Sequence, residues 1–183
     1  MSIHRRTTQH PDSVGDLVRE AQAGDRAAFG RLYDRYARMV HAIAVSRVPP
    51  GEADDVVQDT FLRALRQLGA LRNGDAFGPW LATIARNTAS DLHRRRHPHG
   101  ELAEEPAMRS HQHQDTEARA ALAAIRELPE AYRETVMMRL VEGMTGPEIA
   151  DRTGLSPASV RVNLHRGIKL LRQRLAASGK VHA

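Results

Sequence analysis

A C-terminal segment of this 183-residue chain has the residue types and spacing of a DNA-binding motif. One helix start is marked by Gly146-Pro147 and a second by Ser156-Pro157, and Gly154 stands between them. Small or hydroxyl residues followed by proline are typical of helix N-termini, so the segment predicts a helix-turn-helix. The second helix of such a motif lies in the major groove of duplex DNA.

The second helix of this motif has an apolar side and a basic side. The apolar positions, predicted to face the core, are Val160, Leu164, Ile168, Leu171 and Leu175. The N-cap and the polar side, which could contact phosphates and base edges, are formed by Ser156, Ser159, Arg161, Val162, His165, Arg166 and Lys169. No acidic residue follows Leu155, whereas a solvated helix normally mixes both signs, so a polyanionic partner is indicated. An ordinary amphipathic helix with scattered basic residues remains the alternative.

A second group of residues suited to nucleic acid lies on the predicted fourth helix, about residues 76–96. Its outward side carries an aromatic ring, polar side chains and arginines, namely Trp80, Thr83, Asn87, Asp91, Arg94 and Arg95. Aromatic rings stack on unpaired bases and arginines hold phosphates, so this face suits melted DNA. Alternatively, Trp80 packs against the second helix and the arginines stabilise the helix C-terminus through its dipole.

The predicted third helix, about residues 52–68, carries an acidic strip on an otherwise basic chain. The outward residues are Asp54, Asp55, Gln58, Asp59 and Leu62. Such a strip repels DNA and could bind a basic surface of a protein partner. Because acids near a helix N-terminus are stabilising in any case, a solvated helix face is the alternative. The buried side is predicted to contain Val57, Phe61, Ala64, Leu65 and Leu68.

Composition supports a nucleic-acid partner and disfavours several other classes of protein. The formal net charge is +5, and no cysteine is present to serve as a nucleophile or form a disulfide. No apolar run approaches the roughly 20 residues of a membrane span, and no signal peptide opens the chain, so we expect a soluble intracellular protein. We assign no metal, no cofactor and no enzymatic activity, since no catalytic arrangement is recognisable and the histidine spacing does not fit a structural zinc site. The histidines concerned are His93, His97, His99, His111 and His113.

The apolar spacing is helical throughout, which predicts an all-α fold of two small helical domains joined by a flexible linker. We expect an N-terminal arm over 1–12, a first domain over 13–96, a linker over 97–115, a second domain over 116–177 and a tail over 178–183. In the second helix, about residues 25–47, the predicted core positions are Phe29, Leu32, Tyr33, Tyr36, Val40 and Ile43.

Three motifs in this order resemble the extracytoplasmic-function (ECF) sigma factors, the group IV members of the sigma-70 family. They are Asp54 to Phe61, then Trp80 to Asn87 with Asp91 and Arg94-Arg95 following, and then Leu128-Pro129 with the helix-turn-helix. The resemblance covers about residues 14–176. It implies a non-enzymatic transcription initiation factor whose second domain is a helix-turn-helix of the winged-helix-like or sigma region 4 type.

The resemblance also implies a role for each of the three surfaces. Residues 13–96 would be sigma region 2, and the strip from Asp54 to Leu62 would bind the coiled coil of the largest RNA polymerase subunit. The face from Trp80 to Arg95 would recognise and help melt the minus 10 promoter element. Residues 116–177 would be sigma region 4, which contacts the polymerase flap and places the helix from Ser156 at the minus 35 element.

The partners implied by the resemblance are the RNA polymerase core, promoter DNA and a separate anti-sigma factor. The free protein would be a cytoplasmic, nucleoid-associated monomer, held at the membrane when an anti-sigma factor tethers it there. A stand-alone helix-turn-helix regulator of duplex operator DNA is the alternative, but it leaves the acidic strip and the Trp80 face unexplained.

Three residues of the recognition helix depart from the family pattern. Val162 and Asn163 occupy central positions where the family more often has a basic or hydroxyl residue. Gly167 replaces a common alanine and is expected to cost the helix up to about 1 kcal/mol. The promoter sequence therefore cannot be transferred from relatives.

Overall fold

The computed structural model describes residues 13–96 and 114–179, and this part of the chain is helical with no strand. The C-terminal helix-turn-helix therefore has no β-wing within the described residues. The α-helices are α1 (Val14–Gln22), α2 (Arg26–Val45), α3 (Pro50–Gln67), α4 (Phe77–Arg96), α5 (Gln114–Arg126), α6 (Glu130–Leu140), α7 (Gly146–Thr153) and α8 (Pro157–Gly179). We refer to α1–α4 as the N-terminal unit and to α5–α8 as the C-terminal unit.

The predicted segments between and beyond these units lie largely outside the described residues. The predicted arm, residues 1–12, is outside them, as are residues 97–113 of the predicted linker and 180–183 of the predicted tail. Helix α5 begins at Gln114, two residues earlier than the predicted domain start, and α8 continues to Gly179.

Side-chain caps fix where several helices begin. The Asp25 carboxylate accepts hydrogen bonds from the backbone N–H groups of Ala27 and Ala28, which would otherwise have no partner at the start of α2. Two 3₁₀ turns, Leu68–Ala70 and Gly74–Ala76, join α3 to α4. This connection turns the chain so that α4 packs against both α2 and α3.

The core of the N-terminal unit follows the helical periodicity with two exceptions. Leu32, Val40 and Ile43 are fully buried, as predicted for α2. Tyr33 was predicted in the core but is 41% exposed, because its ring lies at the edge of the unit, 4.5 Å from the ring of Phe61.

Leu65 on α3 is the other incorrect core assignment, being 50% exposed. The buried side of α3 contains Phe61, Ala64 and Leu68, whereas Leu65 lies three residues after the exposed Leu62, on the outward side.

In the C-terminal unit, α8 crosses α6 at very close range. A Cβ atom at Gly167 would lie 2.5 Å from Val136 Cγ2 and 3.0 Å from Tyr132 Cβ. Glycine is thus required by the helix crossing and is not merely a weak helix former. The predicted apolar stripe of α8 is buried at Val160 and Leu171 but ends before Leu175, which is 38% exposed.

The two units also pack against each other, through α6 on α2 and α7 on both α2 and α4. Their buried apolar side chains form one continuous cluster.

Candidate functional site

The outward face of α3 combines carboxylates with apolar side chains. Asp54, Asp55 and Gln58 are exposed, and Asp59 is half-buried. Leu62 and Leu65 continue the face, each with half of its surface exposed. Exposed leucines next to acids are suited to a protein partner that is both apolar and basic, and unsuited to DNA.

The aromatic end of α4 is partly built into the core. Trp80 is half-buried and its ring centroid lies 5.7 Å from that of Phe77, which in turn packs against Tyr36 of α2. Thr83 and Asn87 are exposed on the following turns. The Thr83 hydroxyl donates a hydrogen bond to the Pro79 carbonyl at 3.0 Å. Trp80 therefore has a fixed position with part of its ring accessible.

Asp91 is the centre of an ion-pair network at the other end of the α4 face. Its carboxylate accepts from Arg63 of α3 at 2.9 Å and from Arg94 at 2.6 Å, while Arg95 donates to its backbone carbonyl at 3.3 Å. The hydrogen bond from Arg63, together with Arg94, holds the pKa of the Asp91 carboxyl below its ordinary value. The acid thus orients arginines from two helices toward one surface.

The helix-turn-helix is formed by α7, a glycine turn and α8. Thr145 and Glu148 form a capping box at the start of α7, and Gly154 ends this helix with a left-handed φ of 73°. The Ser156 hydroxyl accepts from the Ser159 backbone N–H at 3.1 Å and so caps α8.

The outer side of α8 is basic and accessible. Arg161, His165, Arg166 and Lys169 are exposed, and Val162 is 44% exposed beside them. No carboxylate within residues 13–96 and 114–179 pairs with Arg161, Arg166 or Lys169. This side can therefore offer its cations to phosphates without first breaking an ion pair.

Comparison with known proteins matches both units to one family. Residues 32–98 match the family model "Sigma-70 region 2", and residues 118–171 match "Sigma-70, region 4". The ECF RNA polymerase sigma factor BldN of Streptomyces coelicolor is 35% identical over 185 residues, which cover 94% of this chain and 70% of BldN. The chain belongs to the ECF sigma factors of the sigma-70 family.

Two further proteins support this assignment. The RNA polymerase sigma factor CarQ of Myxococcus xanthus is 36% identical over 159 residues, covering 83% of this chain and 91% of CarQ. The structure of CnrH in complex with the cytosolic domain of CnrY superposes with a TM-score of 0.58 at 29% identity, covering 91% of this chain and 99% of CnrH. The protein is thus an RNA polymerase sigma factor, and sigma factors are transcription initiation factors that bind RNA polymerase and are not enzymes.

In this ECF sigma factor, each predicted set of site residues lies together on one surface of its own: the first on α3, the second on α4 and the third on α8. The roles of these residues remain predictions. Sequence reasoning missed Leu65, which extends the α3 strip, and Arg63, which joins the α4 face. The three-residue spacing of Leu65 to Leu62 is compatible with the strip, but its spacing to the buried Phe61 and Leu68 is equally compatible with the core. Arg63 is recognisable only from the packing of α3 on α4, because 28 residues separate it from Asp91.

The described part of the chain places no group of three or more His, Cys, Asp or Glu side chains so that they could hold a metal ion. Of the histidines near the predicted linker, only His93 lies within the described residues. Likewise, no helix within residues 13–96 and 114–179 combines the length and the apolar content that a membrane span requires.

Proposed function

We propose that this sigma factor binds RNA polymerase core through the α3 strip and directs it to promoters with a minus 10 and a minus 35 element. The exposed acidic and apolar strip carries this proposal. A protein that only bound operator DNA would have no use for Asp55 and Leu62 on an exposed face. The resemblance of this strip to the family's core-binding segment supports the proposal, and the partner surface that it implies is a coiled coil of the largest polymerase subunit.

At the minus 10 element, we assign the α4 face to single-stranded DNA. The accessible part of Trp80 would stack on a base, Asn87 would hydrogen-bond a base edge, and Arg94 and Arg95 would hold the backbone. Extruding a base costs a few kcal/mol of stacking, which a preformed surface offsets because its side chains are already ordered. Asp91 acts in this proposal by positioning Arg63 and Arg94 and does not touch DNA.

At the minus 35 element, α8 would enter the major groove with its N-terminal residues toward the bases. Arg161 and Arg166 are long enough for base edges or phosphates, and the exposed Val162 could contact a thymine methyl group. Lys169, further along the helix, would meet a phosphate.

The protein acts in this proposal as a cytoplasmic monomer that a second protein can inhibit. The similarity to CnrH, which has been solved with the cytosolic domain of CnrY, supports a protein partner for the free chain, and the family resemblance implies that this partner is an anti-sigma factor. The region 4 unit would contact the polymerase flap when the holoenzyme forms.

Charge reversal on α3 tests the core-binding assignment. The double substitution Asp55→Lys with Asp59→Lys is expected to abolish holoenzyme formation, measured by native gel shift with purified core and by run-off transcription. Glu20→Lys on α1 is the matched control, since Glu20 forms an ion pair with Arg31 in which both side chains are about half exposed. Unchanged holoenzyme formation in the double variant, with a normal helical circular dichroism spectrum, would exclude the strip as the core-binding surface.

A further inference from the structure

Helix α1 packs on the segment that connects α3 to α4. It contacts both 3₁₀ turns of this connection, Leu68–Ala70 and Gly74–Ala76, as well as α2 and α4. The inward side of α1 is buried at Leu17 and Val18, so the helix has a fixed place in the N-terminal unit. Helix α1 lies outside residues 32–98, which match the region 2 family model, and it belongs to none of the three predicted binding surfaces.

The side chain of Gln22, at the end of α1, holds the backbone of the connection. Its amide nitrogen Nε2 donates to the carbonyl oxygen of Leu68 at 2.8 Å and to that of Leu71 at 2.9 Å. An amide NH2 group has one hydrogen for each of these carbonyls. The backbone N–H of Leu71 also donates to the Leu68 carbonyl, at 3.0 Å. Gln22 therefore fixes the peptide group that follows Leu71.

A second contact holds the connection at its other end. A Cβ atom at Gly74 would lie 2.8 Å from Gly15 Cα and 3.1 Å from the Gly15 carbonyl oxygen. Because these neighbours are backbone atoms of α1, no side-chain rotation relieves the approach, and a glycine is required here. By contrast, a Cβ atom at Gly69, in the first 3₁₀ turn, would meet no atom within 4 Å. The connection is thus pressed against α1 at Gly74 and held by a side chain at Leu71.

Two exposed side chains lie between these anchors. Arg72 and Asn73 are exposed, whereas Leu71 before them is half-buried against the core. The Asn73 amide oxygen accepts from the Asp75 backbone N–H at 3.1 Å. Since no group of the described residues accepts from the Asn73 NH2 group, it remains available as a donor to a ligand. The connection therefore presents a cation and an amide donor on a backbone that is held at both ends.

These two side chains lie at the same end of α4 as Trp80. One 3₁₀ turn and the first turn of α4 separate Asn73 from Trp80, a rise of roughly 13 Å along the helix axes at about 2.0 Å and 1.5 Å per residue. The ring of Phe77, between them, is fully buried and its centroid lies 5.7 Å from that of Trp80. A strand that stacks on Trp80 and continues toward the connection therefore meets Arg72 and Asn73.

We propose that α1 positions the α3–α4 connection for minus 10 DNA and that Gln22 is the positioning residue. Arg72 and Asn73 contact the melted strand next to Trp80, whereas Gln22 does not touch DNA. A segment that is fixed before DNA arrives needs no ordering during binding, so less of the interaction energy is lost. This role rests on the proposed function, in which the α4 face binds single-stranded DNA.

Gln22→Met tests the positioning role, because it removes both hydrogen bonds while charge and approximate length are kept. In the holoenzyme, the affinity for a single-stranded oligonucleotide of the mapped minus 10 element is expected to fall about tenfold, as for the loss of one or two neutral hydrogen bonds. Fluorescence anisotropy measures this affinity. Gln67→Met is the matched control, since Gln67 at the end of α3 is exposed and its side chain caps no backbone group.

Two further measurements separate positioning from a merely structural role. Holoenzyme formation and binding of a duplex with only a minus 35 element should be unchanged in Gln22→Met. When Arg72→Ala and Asn73→Ala are already present, Gln22→Met should cause no further loss of minus 10 affinity, because the side chains that it positions are gone. A structural role instead predicts a parallel loss of all activities and an additional loss in the combined variant.

Gly74→Ala tests the backbone contact separately, with Gly69→Ala as the matched control in the same connection. Neither glycine has a positive φ, so the two substitutions differ mainly in the approach of the new methyl group to α1. Minus 10 affinity is expected to fall in Gly74→Ala and to stay unchanged in Gly69→Ala. Should Gly74→Ala fail to fold, Gln22→Met still decides, since its side chain is exposed.

Equal minus 10 affinity of the Gln22→Met and Gln67→Met holoenzymes would overturn the positioning role. A loss of minus 10 binding that is matched by equal losses of minus 35 binding and of thermal stability would overturn it as well. Failure of the unsubstituted holoenzyme to bind the minus 10 oligonucleotide would instead refute the proposed function, and it would be seen before any variant is compared.

Discussion

Gly167→Ala is predicted to destabilise the protein, although alanine is the better helix former. Replacing glycine by alanine within a helix raises the free energy of unfolding by up to about 1 kcal/mol. Here the new methyl group would lie 2.5 Å from Val136 Cγ2 and 3.0 Å from Tyr132 Cβ, roughly 1 Å inside normal contact. Overpacking of this kind lowers the free energy of unfolding by about 1–3 kcal/mol. The clashing side-chain atoms lie close to the backbone of α6, so they cannot rotate out of the way. Because two atoms clash and one of them is only 2.5 Å away, the cost lies in the upper part of this range, about 2–3 kcal/mol. Subtracting the helix gain of about 1 kcal/mol leaves an expected net loss of about 1–2 kcal/mol.

Urea unfolding followed by circular dichroism measures this change, and Gly30→Ala provides the matched control. Gly30 lies within α2 and is exposed, and an alanine methyl group there would have no neighbouring atom within 4 Å, so only the helix gain applies. The two glycine-to-alanine substitutions should therefore shift the unfolding midpoint in opposite directions. If Gly167→Ala raised the midpoint as much as Gly30→Ala, α6 and α8 would not cross as closely as described.

Three further predictions concern the interface, the α4 face and α7. The ion pairs between the two units should stabilise the fold most between about pH 4.5 and 6.5. The lowered pKa of Glu134 gives a contribution that is complete above pH 4.5 and lost as the pH falls through the pKa in the folded protein, whereas the raised pKa of His41 gives one that is complete below pH 6.5 and lost as the pH rises through the pKa in the folded protein. Urea unfolding against pH checks this, and His41→Gln should lose the alkaline decline in stability. Arg63→Gln should reduce the salt dependence of promoter binding by about 0.7 in log–log slope, the value for one phosphate contact on a single strand, whereas Asp91→Asn should not reduce it. Thr145→Ala removes the capping box of α7 and should cost about 1 kcal/mol in urea unfolding.

The positions of the helices could be predicted from the sequence because their signals are local. Apolar residues recur at helical spacing, and Asp25, Gly154 and Ser156 mark starts and ends through bonds to their own backbone neighbours. The three candidate surfaces followed from the same periodicity, since the outward side of each helix is the side without the apolar stripe.

Features that depend on how helices meet could not be predicted in this way. The close crossing at Gly167 is visible only when α6 is placed against α8, and from the sequence alone this glycine is merely an unfavourable helix residue. Arg86 and Glu134 are 48 residues apart and belong to different units. Likewise, a helical pattern alone does not tell whether Leu65 belongs to the edge of the core or to the exposed strip.

The distribution of ion pairs separates the cations that are ready to bind DNA from those that are not. Arg86 and Arg47 are held by Glu134, so any contact of theirs with phosphate would first break these ion pairs. Arg161 and Arg166 have no carboxylate partner within the described residues and release counterions as soon as α8 meets DNA. A duplex carrying only a minus 35 element should therefore bind with a salt dependence set by the α8 cations alone.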